Sequence, residues 1–169
     1  REACDRVKKD RVLDCIRIAN AGCKALGIKT PKIGVAGLKP HCGENGMFGT
    51  EEIEEIQPAI DAAMAEGICI PERMPTPPDT VFSKALGGWY DIVVAMYHDQ
   101  GLAPFKAMSM DDGVNFTAGL PYVRTSPDHG TAYDIAGKGE ADPQSMMHAI
   151  YAALDIFRAR ANDAEALRN

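Results

Sequence analysis

The sequence predicts an α/β fold with a largely parallel sheet, and two observations carry that expectation. Segments with helical apolar spacing alternate with short apolar runs, the pattern of helices laid on a sheet. The runs themselves, "KIGVAGL" at 32–38 and "DIVVAMY" at 91–97, read as buried strands that stop abruptly at polar residues.

Each element follows from its own residues. From Cys4 to Leu26, apolar side chains recur at Val12, Cys15, Ile16, Ala19, Cys23 and Leu26, and Gly27 suits a helix C-terminus. After Pro31 comes the first strand, then a glycine-rich loop, "KPHCGENGMFGT". Thr50 is placed to cap the next helix, whose acidic first turn (Glu51, Glu52) complements the helix dipole. Its inner stripe is expected to be Ile53, Ile56, Ile60 and Met64, with a bend at Pro58 and an end at Gly67. Residues 71–79 hold four of the eleven prolines and read as an extended connection. Asp79 is placed to cap a short helix ending at Leu86, before Gly87 and Gly88. After the strand at 91–97, a loop or short helix is expected through Lys106, then strands in "GVNFTAG" and "LPYVRTS". Asp142 and Pro143 start the last helix, with Met147, Ile150, Leu154 and Phe157 as its expected buried face and fraying from Asn162. There is no internal repeat and no low-complexity segment.

Composition narrows the function. A length of 169 residues suits one domain or part of a larger subunit, and the start at Arg1, within a helical pattern, favours part of a larger one. The net charge is −6 and the basic residues form no stripe, so nucleic-acid binding is not expected. No apolar run approaches the ~20 residues of a membrane span. Five cysteines, an odd count without a CxxC pair, suggest reduced thiols and a cytoplasmic protein.

Candidate functional residues lie just beyond the strands, where open α/β sheets bind ligands. His41 follows the first strand and His98, with Asp99, follows the second. Neutral imidazole is a common ligand of divalent metals, and an adjacent carboxylate can coordinate or orient it. Two histidines at equivalent strand ends therefore suggest a shared metal. Asn115 sits within a strand, where asparagine is disfavoured, and Arg124 follows the apolar run Leu120–Val123. A guanidinium there can grip a carboxylate or phosphate in bidentate fashion, with Lys106 adding a point charge. The stretch "DHGTAYDIAGKGEADP" has no GxGxxG, yet its glycines permit close approach to a flat ligand, and His129 can stack on an adenine.

The segments "GLKPHCGENGMFGTEE", "AMYHDQGLAPFK", "GVNFTAGLPYVRTSPDHGTA" and "DIAGKGEADP" together resemble the C-terminal half of the 4-hydroxythreonine-4-phosphate dehydrogenase family of vitamin B6 biosynthesis. The resemblance runs from about Pro31 to the last helix. The stretch "HGTAYDIAGKGEADP" also resembles the cofactor loop of the isocitrate and isopropylmalate dehydrogenases. It implies the α/β/α sandwich of that superfamily, with residues 1–169 as the C-terminal half of a two-domain subunit. It makes His41 and His98 ligands of a catalytic divalent metal, zinc first, with cobalt or magnesium as alternatives. Asp99 is the candidate carboxylate supporting them. Lys106, Asn115 and Arg124 become substrate-binding groups, and His129, Gly130, Thr131, Ala132 and Asp134 the grip on NAD. The family's third metal histidine lies upstream, and no histidine precedes His41 here.

The implied reaction oxidises 4-phosphooxy-L-threonine to a β-keto acid, which loses carbon dioxide to give 3-amino-2-oxopropyl phosphate. A homodimer with the metal site shared across its interface is implied too. The alternatives are a dehydrogenase of threonate or erythronate phosphate, and a non-catalytic dimerisation fragment.

Overall fold

The computed structural model describes residues 2–108 and 112–166, with side chains described to Asn162. The chain divides into two compact units, Arg1–Lys24 with Ile28–Pro104 and Ala25–Gly27 with Phe105–Asn169.

In the first unit, helices α1 (Glu2–Arg6) and α2 (Lys9–Ala25) replace the single expected helix. The break has a physical cause. Val7 turns into the core, and the Glu55 carboxylate accepts the Lys9 amide at 2.8 Å and the Lys8 ammonium at 2.9 Å, capping α2 from outside the helix. Val12, Ile16 and Cys23 are buried as the spacing predicts, whereas Leu26 is exposed.

Strand β1 (Ile33–Val35) runs parallel to β2 (Ile92–Val94), pairing Ile33 with Ile92 and Val35 with Val94. Further parallel bridges join Lys32 to Cys69 and Ala36 to Thr76. β1 is buried throughout, as a strand covered on both faces should be. Its Gly34 is obligatory, because a Cβ there would come within 2.6 Å of the buried Tyr90 ring.

A π-helical turn, Glu52–Ile56, leads into α3 (Gln57–Ala65), with Pro58 in the first turn of α3. Pro58 has no N–H to donate and its ring would crowd the preceding turn, which the wider turn relieves. Thr50 opens the turn through its carbonyl, which accepts the Ile53 and Glu54 amides. Ile56 and Ile60 are fully buried, but Ile53 is 54% exposed and Glu52 faces inward instead. Ile56 and Ile60 pack with Val12, Ile16, Ile33 and Val35 into one core. α4 (Val81–Leu86) starts after Thr80 rather than Asp79, and the Thr80 hydroxyl bonds to the Pro77 carbonyl. α5 (His98–Met108) follows β2 closely and carries the chain from the first unit to the second.

The second unit holds an antiparallel ladder, β3 (Val114–Phe116) with β4 (Thr125–Pro127), pairing Asn115 with Ser126. β4 lies further along the chain than expected, so Arg124 precedes a strand instead of ending one. Pro121 cannot donate to a ladder, and Gly119 turns at φ 85°, which moves pairing downstream.

Helix α6 (Gln144–Ala166) packs on both strands. Asp142 accepts the Gln144 amide, as expected of the helix start, but helix continues past Asn162. The buried face is also different. Ala149 and Ile156, seven residues apart, are buried, while Met147, Ile150, Leu154 and Phe157 are 43–64% exposed. The helix carries two apolar stripes, and the one with smaller side chains meets the ladder. No helix among the described residues is long and apolar enough to cross a membrane.

Because Ile60 is fully buried and Ile53 is not, truncation should separate them. Ile60→Ala is expected to cost about 2–5 kcal/mol in denaturant unfolding and Ile53→Ala no more than about 0.5 kcal/mol. Equal losses would contradict this account of the π-helical turn.

Candidate active site

The three polar residues that end the second apolar run have three separate jobs. His98 and Asp99 form the exposed first turn of α5, with Nδ1 of His98 2.7 Å from Oδ1 of Asp99. A carboxylate accepts, so Nδ1 carries a hydrogen, and in the neutral ring Nε2 keeps its lone pair available to a ligand. Gln100 is turned the other way and buried. Its Nε2 donates to the Gly37 carbonyl at 2.7 Å, and its Oε1 accepts the Met96 amide at 2.7 Å. It therefore fastens the start of α5 to the end of β1.

His41 begins a left-handed turn just beyond β1. His41, Cys42, Gly43, Glu44 and Asn45 have φ of 52°, 52°, 78°, 46° and 55°. Left-handed backbone costs a non-glycine residue roughly 1–2 kcal/mol, and strain of this kind gathers at functional sites. Inside the turn, the Cys42 amide donates to the Lys39 carbonyl and the Phe48 amide to the Gly43 carbonyl. The Cys42 thiol points to the Pro75 carbonyl at 3.2 Å. Burial, with the Glu52 and Asp79 carboxylates adding to it, pushes that thiol up to about 11. The Lys39 ammonium pairs with Glu51, holding its carboxyl below the usual range.

His41 lines a cavity of about 440 Å³ with Cys42, Glu44, Glu52 and Gln57. His98 lines a different one, of about 570 Å³, with Val12, Val94, Met96 and Leu102. Among the described residues no group of three or more His, Cys, Asp or Glu side chains is gathered for a metal ion. The donor chemistry of His98 fits a metal ligand, with one ring nitrogen held and the other free, but the described residues of one chain supply an incomplete set.

In the second unit, Asn115 and Arg124 come to one face of the ladder. The Thr117 amide donates to the Arg124 carbonyl, extending the register so that Thr117 opposes Arg124 as Asn115 opposes Ser126. Positions 115 and 117 share a face because side chains alternate along a strand. The Arg124 guanidinium donates to the Thr117 hydroxyl at 2.8 Å and remains exposed. Lys106 is held by the residue after β4: its ammonium donates to the Asp128 carbonyl at 2.8 Å and lies 2.6 Å from Oδ2. That oxygen makes an ion pair but no aligned hydrogen bond.

His129 donates from Nδ1 to the Gly130 carbonyl at 2.8 Å. With Ala132 it lines a cavity of about 220 Å³, together with Ile135, Asp142, Gln144 and Ser145. Gly130, Thr131 and Asp134 are exposed and do not line it. Sequence reasoning gave Gln100, an amide in the polar stretch after the second run, no role and read Glu52 only as part of an acidic first turn; it also missed the cavity-lining Ile135, Gln144 and Ser145, which carried no signal.

These features define an α/β protein whose candidate ligand groups lie beyond the carboxyl ends of parallel strands and along one antiparallel ladder. A family description, "Pyridoxal phosphate biosynthetic protein PdxA", matches residues 1–153, and the chain belongs to this family. It is 60% identical over 134 residues to the 4-hydroxythreonine-4-phosphate dehydrogenase of Beijerinckia indica, covering 79% of this chain and 39% of that one. It is 50% identical over 156 residues to the D-threonate 4-phosphate dehydrogenase of Pectobacterium atrosepticum, covering 92% and 47%. The solved structure described as a putative 4-hydroxythreonine-4-phosphate dehydrogenase from Salmonella typhimurium superposes with a TM-score of 0.80 at 50% identity, covering 92% of this chain and 47% of that one. The chain thus spans about half the length, or less, of the relatives it matches.

The raised Cys42 thiol gives a direct test of that side chain's half-buried place in the turn. At pH 8.5 its thiolate fraction should be on the order of a hundredfold below that of an unshifted cysteine. Alkylation followed by peptide mass spectrometry should therefore find Cys42 largely unmodified under conditions that label a small thiol. Rapid labelling in the folded protein would contradict the burial.

Proposed function

We propose that this chain forms the C-terminal half of a cytoplasmic, NAD-dependent dehydrogenase that oxidises the secondary alcohol of a phosphorylated four-carbon acid. The first reading of the substrate is 4-phosphooxy-L-threonine, whose β-keto product loses carbon dioxide to give 3-amino-2-oxopropyl phosphate. Membership of the PdxA family is the observation that carries this reading. Placement of the predicted polar residues beyond β1 and β2 and along the β3–β4 ladder supports it. D-threonate 4-phosphate is the second reading, supported by the relative from Pectobacterium atrosepticum.

His41 and His98 would hold a divalent metal, zinc, cobalt or magnesium, with the remaining donors coming from outside this chain's described residues. When bound, that ion supplies positive charge to the alcohol oxygen as hydride leaves for NAD. Asp99 keeps His98 in the tautomer with Nε2 free. Arg124 and Lys106 bind the substrate's anionic groups, and Asn115 offers its amide from the same ladder face as Arg124. The loop at His129–Asp134, with its cavity, takes the cofactor.

Three outcomes are expected. His98→Ala should abolish turnover and leave the unfolding transition near its original position, because the side chain is exposed; turnover at the original rate would remove His98 from the site. Arg124→Ala should raise the KM for substrate by roughly ten- to a hundredfold and leave that for NAD nearly unchanged, since one charge-assisted contact is worth about 1.5–3 kcal/mol. Equal losses for both ligands would make Arg124 structural. The site is proposed to be shared across a homodimer, which subunit mixing tests. Inactive His41→Ala and His98→Ala proteins, dissociated and reassociated together, should regain part of the activity, because one interface site keeps both histidines. No recovery despite demonstrated exchange would place both histidines of a site in one chain.

A further inference from the structure

Glu52 is a buried carboxylate among the residues that line the His41 cavity. It is 3% exposed, next to Ile56 on the inner side of the π-helical turn. Charged side chains are rarely buried unless something in the fold holds them. Here Oε1 accepts the Leu38 amide at 2.9 Å and the Lys39 amide at 2.7 Å, the two N–H groups just ahead of the His41 turn. Oε2 has no hydrogen-bond partner among the described residues and lies under Gly43. A Cβ on Gly43 would come within 3.0 Å of both that oxygen and the Gly49 carbonyl, and φ there is +78°. One carboxylate thus holds the mouth of the turn and fills the space beneath it.

The turn needs such a support. Four of its five residues are not glycine, and each resists left-handed backbone. The backbone bonds within the turn and the loop around it are local, and they would move with the turn if it relaxed. Glu52 comes from a separate element, the π-helical turn, and accepts two backbone donors at once. We propose that Glu52 is a positioning residue: its buried carboxylate sets the left-handed turn that presents His41. This rests on the reading of His41 as a working residue of the dehydrogenase.

The test compares Glu52→Gln and Glu52→Ala in the purified dehydrogenase, reading hydrogen exchange over residues 38–48 together with kcat and the KM for NAD. Gln keeps a side-chain oxygen for both amides, so exchange and kcat should stay within about threefold of the original. Ala removes the acceptor, so exchange of the Leu38 and Lys39 amides should quicken by about ten- to a hundredfold, and kcat should fall by a similar factor with the KM for NAD unchanged. The proposal is overturned if Ala leaves exchange unchanged, if exchange quickens but kcat holds, or if Gln is as inactive as Ala. Should the Ala protein fail to fold, Gly43→Ala substitutes for it. That variant keeps both amide bonds while pressing a Cβ on Oε2, and it should lower kcat at an unchanged KM for NAD; an unchanged kcat overturns the proposal. His41→Ala keeps the two ideas apart. Full activity in that variant removes His41 from the reaction, whereas inactivity there with unchanged exchange in Glu52→Ala removes only Glu52.

Discussion

The placement of both candidate histidines depends on the two hydrogen bonds of Gln100. Its amide spans from the Gly37 carbonyl, where β1 gives way to the His41 loop, to the Met96 amide, where β2 gives way to the His98 helix. Neighbouring parallel strands fix their own register, but the segments leaving them are free to diverge. A buried amide that uses both its donor and its acceptor removes that freedom, because breaking either bond leaves a desolvated polar group at a cost of about 1–3 kcal/mol. Glu52 acts on the same junction from the other side, accepting the amides of Leu38 and Lys39. The end of β1 is therefore held at consecutive residues, by a carboxamide at Gly37 and a carboxylate at Leu38 and Lys39.

Polar anchoring of this kind suits a turn with unfavourable backbone geometry. Apolar packing is non-directional and would tolerate several conformations of the His41 loop, whereas hydrogen bonds of fixed length tolerate few. The π-helical turn belongs to the same arrangement. By widening the helix ahead of Pro58, it brings Glu52 inward and leaves Ile53 outside. An ordinary apolar stripe with Ile53 buried would have left the Leu38 and Lys39 amides without this acceptor.

Much of this was legible in the sequence, and the rest was hidden for identifiable reasons. The parallel strands and their boundaries with polar residues followed from composition and punctuation, as did the burial of Ile56 and Ile60. Periodicity failed where it had two solutions. In α6 the larger apolar side chains drew the prediction to Met147, Ile150, Leu154 and Phe157, while the ladder accepts the slimmer stripe through Ala149 and Ile156. The start of β4 was misplaced because an apolar run resembles a strand even when Pro121 prevents pairing. Glu52 was read as a dipole-complementing residue of a first turn, a role that needs exposure. Its burial depends on a π-helical turn that no local pattern announced. Gln100 carried a clearer signal, an amide between polar residues after a buried strand, but which backbone groups it would reach depended on tertiary structure.

Under the proposed function, the ladder of the second unit bears on which phosphorylated acid would be oxidised. 4-Phosphooxy-L-threonine carries an ammonium at the carbon where D-threonate 4-phosphate carries a hydroxyl, while both present a phosphate and a carboxylate. In the proposed site, Arg124, Lys106 and Asn115 would meet the shared anionic groups and would not tell the two apart. Separating them requires an acceptor aimed at the ammonium, since a site built to hydrogen-bond a group rejects an analogue that lacks it by far more than apolar shape does. Asp128 is the carboxylate adjoining this ladder's β4, and it is already opposed by the Lys106 ammonium at 2.6 Å. Releasing it toward a substrate ammonium would sacrifice that ion pair and place Lys106 beside a second positive charge. Under the proposed function, these groups would recognise what the two substrates share, and discrimination between amine and hydroxyl would have to come from side chains other than these.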